Sequence, residues 1–435
     1  MAFQTFKNQA YAQLSEFKIT AADGDALDSF GRSVSVSGDY IVVGAFTDGD
    51  NGLNSGSAYI FKRNGTSWTQ EVKTLPSDGA AGDQFGNSVS ISGDYAVMGA
   101  RYDDDNGSSS GSAYVFKRTG PSWVQEAKLL SSDGAADDWF GFSVSISGDY
   151  AVVGAFGDDD NGTSSGSAYV FKRTGTSWTE EAKLLPSDGA TDDWFGNKVS
   201  ISGDYAVVGA WGDDDNGSFS GSAYVFKRTG TSWAQEVKLL ASDGAASDYF
   251  GFPVSILGDY AVVGASGDGS GSAYVFKRTG TSWAQEVKLL ASDGAASDYF
   301  GFSVSITVDY AVVGAFADDD NGTDAGSVYL YTGYATAVGV ENEEVDLPAE
   351  FALSQNYPNP FNPVTVIKFT LPQSGEVSLI VYNLLGQEAA ILVNGKLDAG
   401  YHQVTWDASN FSSGIYFYRL QTGGFVQTRK MFLLK

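Results

Sequence analysis

Two kinds of side chain recur in this chain at spacings that could do chemistry: carboxylates in tight turns, and flat aromatic rings close by. The turn D-D-D-N-G and its variants hold Asp48 and Asp50; Asp103, Asp104, Asp105 and Asn106; Asp158, Asp159, Asp160 and Asn161. Later copies hold Asp213, Asp214, Asp215 and Asn216, then Asp318, Asp319, Asp320 and Asn321. Oxygen-rich turns suit Ca2+, a hard cation that takes about six to eight oxygen ligands, so these are the candidate metal ligands. The alternative is a solvated polar turn in which Asn-Gly supplies the left-handed residues. Phe46, Tyr102, Phe156, Trp211 and Phe316 come just after a Gly-Ala pair, with Ser266 in one copy. Trp139, Trp194, Tyr249 and Tyr299 come just before a Phe-Gly pair. Rings beside carboxylates can stack on sugars or receive a partner's Arg or Lys, which makes them ligand-binding candidates. Packing between structural units is the competing reading.

These residues sit in a repeating text. The Phe-Gly pair recurs at Phe30, Phe85, Phe140, Phe195, Phe250 and Phe300, a period of 55 residues that shrinks once to 50. Periods of this size mark stacked or circular architectures. Each copy reads as four short strands. S-V-S-I-S alternates small polar with apolar residues, as a strand with one crowded face does. Y-A-V-V-G-A is almost continuously apolar and so buried on both sides. G-S-A-Y-V-F-K-R alternates until its two cations, and S-W-x-x-E-A-K-L-L starts at a Trp. The turns between them are rich in residues that tolerate left-handed backbone. Four-stranded units around an axis are the blades of a β-propeller. The expected fold class is therefore all-β, with a six-bladed β-propeller over residues 13–333. Gln13 to Thr20 matches a fourth strand and is expected to close the last blade, leaving no open sheet edge.

The copies resemble FG-GAP repeats, the units of integrin α-chain propellers, and most closely a bacterial variant with G-S-A-Y-V-F. The resemblance spans about residues 13 to 332. It implies ligand binding on the face that carries the acidic and aromatic loops. Integrin-type repeats place a D-x-D-x-D-G calcium loop between the Phe-Gly strand and the Gly-Ala strand. Here that connection is only Ser147, Gly148 and Asp149, too short to wrap an ion, so those calcium sites are not carried over.

Charge narrows the partners. Lys and Arg number 26 against 53 acids, a net of −27, and residues 1–340 carry −24 of it. That balance disfavours nucleic acid and anionic membrane surfaces. No apolar run is long enough to span a membrane as a helix, and with no Cys nothing can be stapled. Alternating strands put both acidic loops on one face and the Lys-Arg pairs on the other. Catalysis is not expected. The single His402 lies in a strand pattern, and the paired carboxylates recur in every copy, whereas an active site needs one copy to be special.

A different unit begins after Tyr331. Residues 334–348 read as a linker and 349–435 as a small Ig-like β-sandwich of six or seven short strands. This segment resembles the type A C-terminal sorting domain of the type IX secretion system of Gram-negative bacteria. The likeness rests on Y-P-N-P-F-N-P at 357–363, V-Y-N-L-L-G-Q-E at 381–388, A-G-Y-H-Q-V-T-W-D at 399–407, S-G-I-Y-F-Y-R-L at 413–420 and the final K-M-F-L-L-K. It implies passage through the periplasm and outer membrane, with the type IX secretion machinery as a partner. Residues 1–12 are expected to be a signal-peptide remnant, since Ala10-Tyr11-Ala12 resembles a cleavage site. The combined expectation is a secreted or cell-surface binding or adhesion protein that contacts glycan or extracellular protein ligands. The alternatives are a secreted glycan-active enzyme and a cation-binding surface-layer component.

Overall fold

A computed structural model describes residues 18–332 and 351–434, apart from positions 66, 308, 321–323, 357 and 398–399. The chain divides into two compact units, Met1–Val338 and Gly339–Lys435. No helix occurs among the described residues.

The first unit is six antiparallel sheets, each with its strands in sequence order. In the third copy they are Ser143–Ser147, Tyr150–Ala155, Ser167–Thr174 and Ser177–Leu184. The second strand is buried throughout and the third loses burial at Lys172, as the hydrophobic pattern requires. The core lies between sheets. Tyr150, Val152, Val170 and Leu184 of blade three pack against Phe195, Val199, Ile201 and Tyr224 of blade four. Phe195 is wholly buried and meets Tyr224 edge-on at 5.5 Å and Phe226 at 5.9 Å.

The serines of S-V-S-I-S have a role that their alternation did not reveal. Ser88, Ser90 and Ser92 Oγ accept hydrogen bonds from the backbone N–H groups of Val144, Ile146 and Gly148 in the next blade, at 3.0, 3.1 and 3.2 Å. The pattern repeats from Ser143, Ser145 and Ser147 to Val199, Ile201 and Gly203. First strands therefore line up side by side around the inner wall, joined by side chain rather than by a sheet ladder.

The six sheets fit a propeller whose ring is not closed by hydrogen bonds. Blade six has three strands among the described residues, ending at Ser327–Thr332. Residues 13–17 of the expected closing strand lie outside the described residues, and Lys18 to Thr20 are not in a strand. At this seam Val34 is 62% exposed, whereas its counterpart Val144 is 6% exposed. Val34, Val36 and Val43 face Val304, Val312 and Val328 across a cavity of about 880 Å³.

The second unit is a sandwich. One sheet orders Ala352–Leu353, Val364–Leu371 and Gly400–Asp407; the other orders Glu388–Leu397, Gly375–Tyr382, Gly414–Thr422 and Phe425–Leu433. Its core gathers Phe361, Ile367, Phe369, Leu379, Trp406, Tyr418 and Met431. Asn356 Nδ2 donates to Thr365 Oγ1 at 2.9 Å and to Pro358 O at 3.1 Å, which anchors the proline-rich entry. His402 stacks on Phe369 at 5.2 Å.

Candidate functional site

The acidic loops converge on lysine. In blade three Lys183 Nζ lies 2.7 Å from Asp133, 2.9 Å from Asp158 and 2.7 Å from Asp160. Tyr169 Oη sits 2.8 Å from Asp133 and 2.9 Å from Asp158. Asp158 is buried. The same knot forms around Lys73, Lys128 and Lys238, each holding three carboxylates, and around Lys288, which holds Asp243 and Asp268. Burial pushes Asp133 up, but hydrogen bonds from Lys183 and Tyr169 outweigh it and hold the carboxyl below its ordinary range. Burial opposes the Lys183 charge, and the three carboxylates reverse that, so its pKa is raised.

The rest of each loop bonds to itself. Asp160 N donates to Asp158 Oδ1 at 3.1 Å, Asn161 N to Ser165 Oγ at 3.0 Å and Ser164 N to Asp159 Oδ1 at 2.7 Å. In blade two Asp103 and Asp105 meet Lys128, while Asp104 accepts from Ser109 N at 2.7 Å. Blade four repeats this with Asp213 and Asp215 on Lys238 and Asp214 accepting from Phe219 N. Blade one keeps the pair Asp48 and Asp50 on Lys73. Asn106 and Asn216 follow Asn161 through Ser110 and Ser220. Asp318 and Asp293 meet Tyr329 Oη, Asp319 accepts from Asp324 N, and Asp320 N donates to Asp318. Asn321 lies outside the described residues. An ammonium therefore sits among the oxygens that a calcium ion would need in five blades. Each lysine offsets one charge among several carboxylates, so the face stays acidic while its most buried aspartates are paired.

The charge on the opposite edge is paired too. Arg118, Arg173, Arg228 and Arg278 meet Asp94, Asp149, Asp204 and Asp259 of the S-G-D turns. The opposite edge thus pairs its arginines one to one, whereas on the loop face each lysine meets two or three carboxylates.

The aromatic candidates form one connected arc. Tyr102 meets Trp139 at 6.5 Å, Trp139 meets Phe156 at 4.6 Å, and Phe156 meets Phe142 at 4.5 Å. Trp194 lies 4.2 Å from Trp211 and stacks on Phe219 at 5.7 Å. Trp211 reaches Tyr249 at 5.5 Å and Phe252 at 6.4 Å. Phe252 continues to Phe302 at 5.4 Å, Phe302 to Phe316 at 4.5 Å, and Phe316 to Tyr299 at 5.2 Å. Lys198 bridges the two halves, with Nζ 5.5 Å from the Phe142 ring and 4.7 Å from Phe252. Trp139, Trp194, Tyr249 and Tyr299 all have φ between 53° and 57°, a left-handed backbone that bulky residues rarely adopt. Gln84 and Ser29 share it, so the repeat imposes this geometry and presents whatever ring stands there.

Blade five breaks the pattern usefully. Where its neighbours carry Trp211 and Phe316, it has Ser266. The missing ring leaves a cavity of about 300 Å³ lined by Trp211, Tyr249, Phe252, Ser266, Tyr299, Phe302 and Phe316.

In blade two the place directly after Gly-Ala belongs to Arg101, with Tyr102 next. Arg101 lies 4.7 Å over the Tyr102 ring and 5.3 Å over Phe142, and its Nε donates to Gln84 Oε1 at 2.9 Å. A cavity of about 130 Å³ brings Arg101 together with Arg32, Lys198, Phe46, Asn87 and Phe142. Burial pushes the Lys198 ammonium down to about 8, and Arg32 and Arg101 add repulsion.

Phe142, Phe252 and Phe302 were missed as site residues in sequence. Their signal is the third place of the Phe-Gly-x strand, which reads Arg32, Asn87, Phe142, Asn197, Phe252 and Phe302. That place varies while its neighbours repeat.

Six stretches match the family model of the FG-GAP repeat: residues 14–61, 68–116, 123–171, 178–226, 233–276 and 283–331. The chain belongs to the FG-GAP repeat family. Residues 355–434 match the secretion system C-terminal sorting domain. This tail indicates a secreted or cell-surface protein and implies an encounter with the type IX secretion machinery. No curated protein matches the FG-GAP chain. Among solved structures, a putative 6-phosphogluconolactonase from Bacteroides uniformis is 12% identical, with 69% of this chain and 80% of that one covered and a TM-score of 0.48. An exo-β-1,3-galactanase from Phanerochaete chrysosporium is 10% identical, over 95% and 97%, with a TM-score of 0.35. A surface component of the type IX secretion system of Porphyromonas gingivalis is 12% identical, over 92% and 75%, with a TM-score of 0.21. Likenesses this distant carry no functional argument. No helix among the described residues is long and apolar enough to cross a membrane.

The FG-GAP loops also set a pH response. Burial pushes the Asp138 and Asp193 carboxyls up to about 6, with Asp158 and Asp213 adding repulsion. Folded values above the ordinary carboxylate range mean that the folded state binds more protons, so stability rises as pH falls from about 7 to about 5. Asp78, Asp133 and Asp188 have lowered values, so what they contribute is lost below about pH 4. The melting temperature is therefore expected to peak near about pH 5. A monotonic fall from pH 7.5 downward would contradict the assignment.

Proposed function

We propose that this protein binds an extracellular glycan along the aromatic arc, after export by the route its tail specifies. The observation that carries this reading is the ring-lined cavity beside Ser266. Its size of about 300 Å³ lies at the lower bound of roughly 300 Å³ for small-ligand sites, and its walls are flat rings of the kind that stack on sugar faces. The uniqueness of blade five supports it as well, since the lining exists only where the repeat is broken.

The test is a glycan array probed with the full chain, with calcium and then with chelator, followed by titration of any hit. Ser266→Phe places in blade five the residue found in blades one, three and six, so it should fill the cavity without disturbing the fold. Affinity is expected to fall at least tenfold at an unchanged melting temperature, and binding is expected to survive chelator. Undiminished binding by Ser266→Phe would exclude this cavity as the site. Binding abolished by chelator would instead give the loops a calcium role.

A further inference from the structure

Three cations on this face differ from the repeated lysine and arginine pairs of the propeller. Elsewhere the lysines that end the fourth strands and the arginines that end the third have carboxylate partners. Among the described residues none is found at hydrogen-bond distance from Arg32, Arg101 or Lys198, although residues 1–340 carry a net of −24. The repeat does not require cations there. At the place of Arg101 the sister blades have Phe46, Phe156, Trp211, Ser266 and Phe316, and at the place of Lys198 they have serine or Pro253. Arg101 and Lys198 thus depart from the sister blades, Arg32 stands at the place that varies, and all three converge on one cavity.

That cavity is lined by residues at or just before the first strand of four blades, so it lies where the inner walls meet. It also holds Asn87, whose Oδ1 is buried and accepts no hydrogen bond. Lys198 stands between Phe142 and Phe252, so a chain leaving the cations runs directly onto Phe252 and the rings beyond it. Three uncompensated cations call for an anionic group, and the orphaned Asn87 acceptor calls for a hydroxyl donor. A single ligand class offers both beside an apolar ring face.

We propose that the bound glycan is acidic, with a uronate carboxylate or a sulfate ester seated on Arg32, Arg101 and Lys198 and a ring hydroxyl donated to Asn87. The proposal rests on the glycan reading above and gives it a sign opposite to the one the acidic composition suggests.

The experiment is calorimetric titration of the full chain with three oligosaccharides of equal length: an oligogalacturonate, a sulfated galactan fragment and a neutral galactan fragment. At least one charged probe is expected to bind ten times more tightly than the neutral one and to weaken as NaCl rises from 50 to 500 mM. The carboxylate and sulfate arms tell which anion is read. Lys198→Ser and Arg101→Phe, which install the residues of sister blades, are expected to remove that preference at an unchanged melting temperature. Equal binding of charged and neutral probes would overturn the acidic ligand while the glycan reading survives. Failure of all three probes to bind would overturn both. A polyglutamate peptide that binds as tightly as the best acidic sugar would also overturn it, since the site would then read charge alone.

Discussion

Gly166→Ala is expected to be among the most damaging single substitutions in the propeller, costing about 3–5 kcal/mol in urea denaturation. Gly166 opens the G-S-A strand at φ +82°, and a Cβ there would lie 1.9 Å from Phe195 O and 2.6 Å from Phe195 N. Both are backbone atoms of the next blade, paired with this strand through the Gly166–Phe195 bridge, so neither can swing aside. Room could be made only by separating two blades around the buried Phe195 ring. Gly175 supplies the control. It also has positive φ, +66°, but nothing lies within 4 Å of the added atom. Gly175→Ala should therefore cost only the left-handed conformation, about 1 kcal/mol. Equal effects at the two sites would mean that close approach between blades is not what fixes the Phe-Gly and G-S-A motifs.

That contrast also shows what a reader of the sequence could and could not obtain. The 55-residue period, the four strands of each copy and the change of style at the tail are local patterns, and each survived because each is written contiguously. The lysine knots are not local. Lys183 meets Asp133 across 50 residues and Asp158 across 25, so the K in E-A-K-L-L reads as an ordinary strand cation until the blade is folded. The serine contacts span 56 residues and join different blades, which makes S-V-S-I-S look merely alternating. Arg32, Arg101 and Lys198 stand in three different copies. Their convergence depends on the inner walls meeting, and only their departure from the repeat could have marked them. The seam is subtler. Whether six copies close depends on the rotation between successive blades, a property of packing that no single copy encodes.

Lys183→Met is expected to cost about 1–3 kcal/mol at pH 7.5, because it strips the cation from the buried Asp158 and leaves that charge beside the exposed Asp133 and Asp160. Asp133, Asp158 and Asp160 offer oxygens that all lie within 4.8 Å of one another. In the wild-type chain the ammonium and Tyr169 hold those oxygens apart in charge, not in space. Without the ammonium their mutual repulsion favours protonation, so the folded pKa values rise and the deficit should shrink as pH falls from 7.5 toward 4.5. The wild type has no such recovery at this site, since its Asp133 value is lowered. Millimolar calcium should also rescue the variant while leaving wild-type blade three unaffected, because only the variant frees the oxygens. Blade six is the natural comparison. Asp293 and Asp318 meet Tyr329 there with no lysine among the described residues, and Asp318 and Asp293 push Asp320 above its ordinary value. A deficit below about 1 kcal/mol for Lys183→Met, unchanged by pH or calcium, would show that the knots are solvated surface pairs. Lysine would then not be what compensates the buried Asp158 charge.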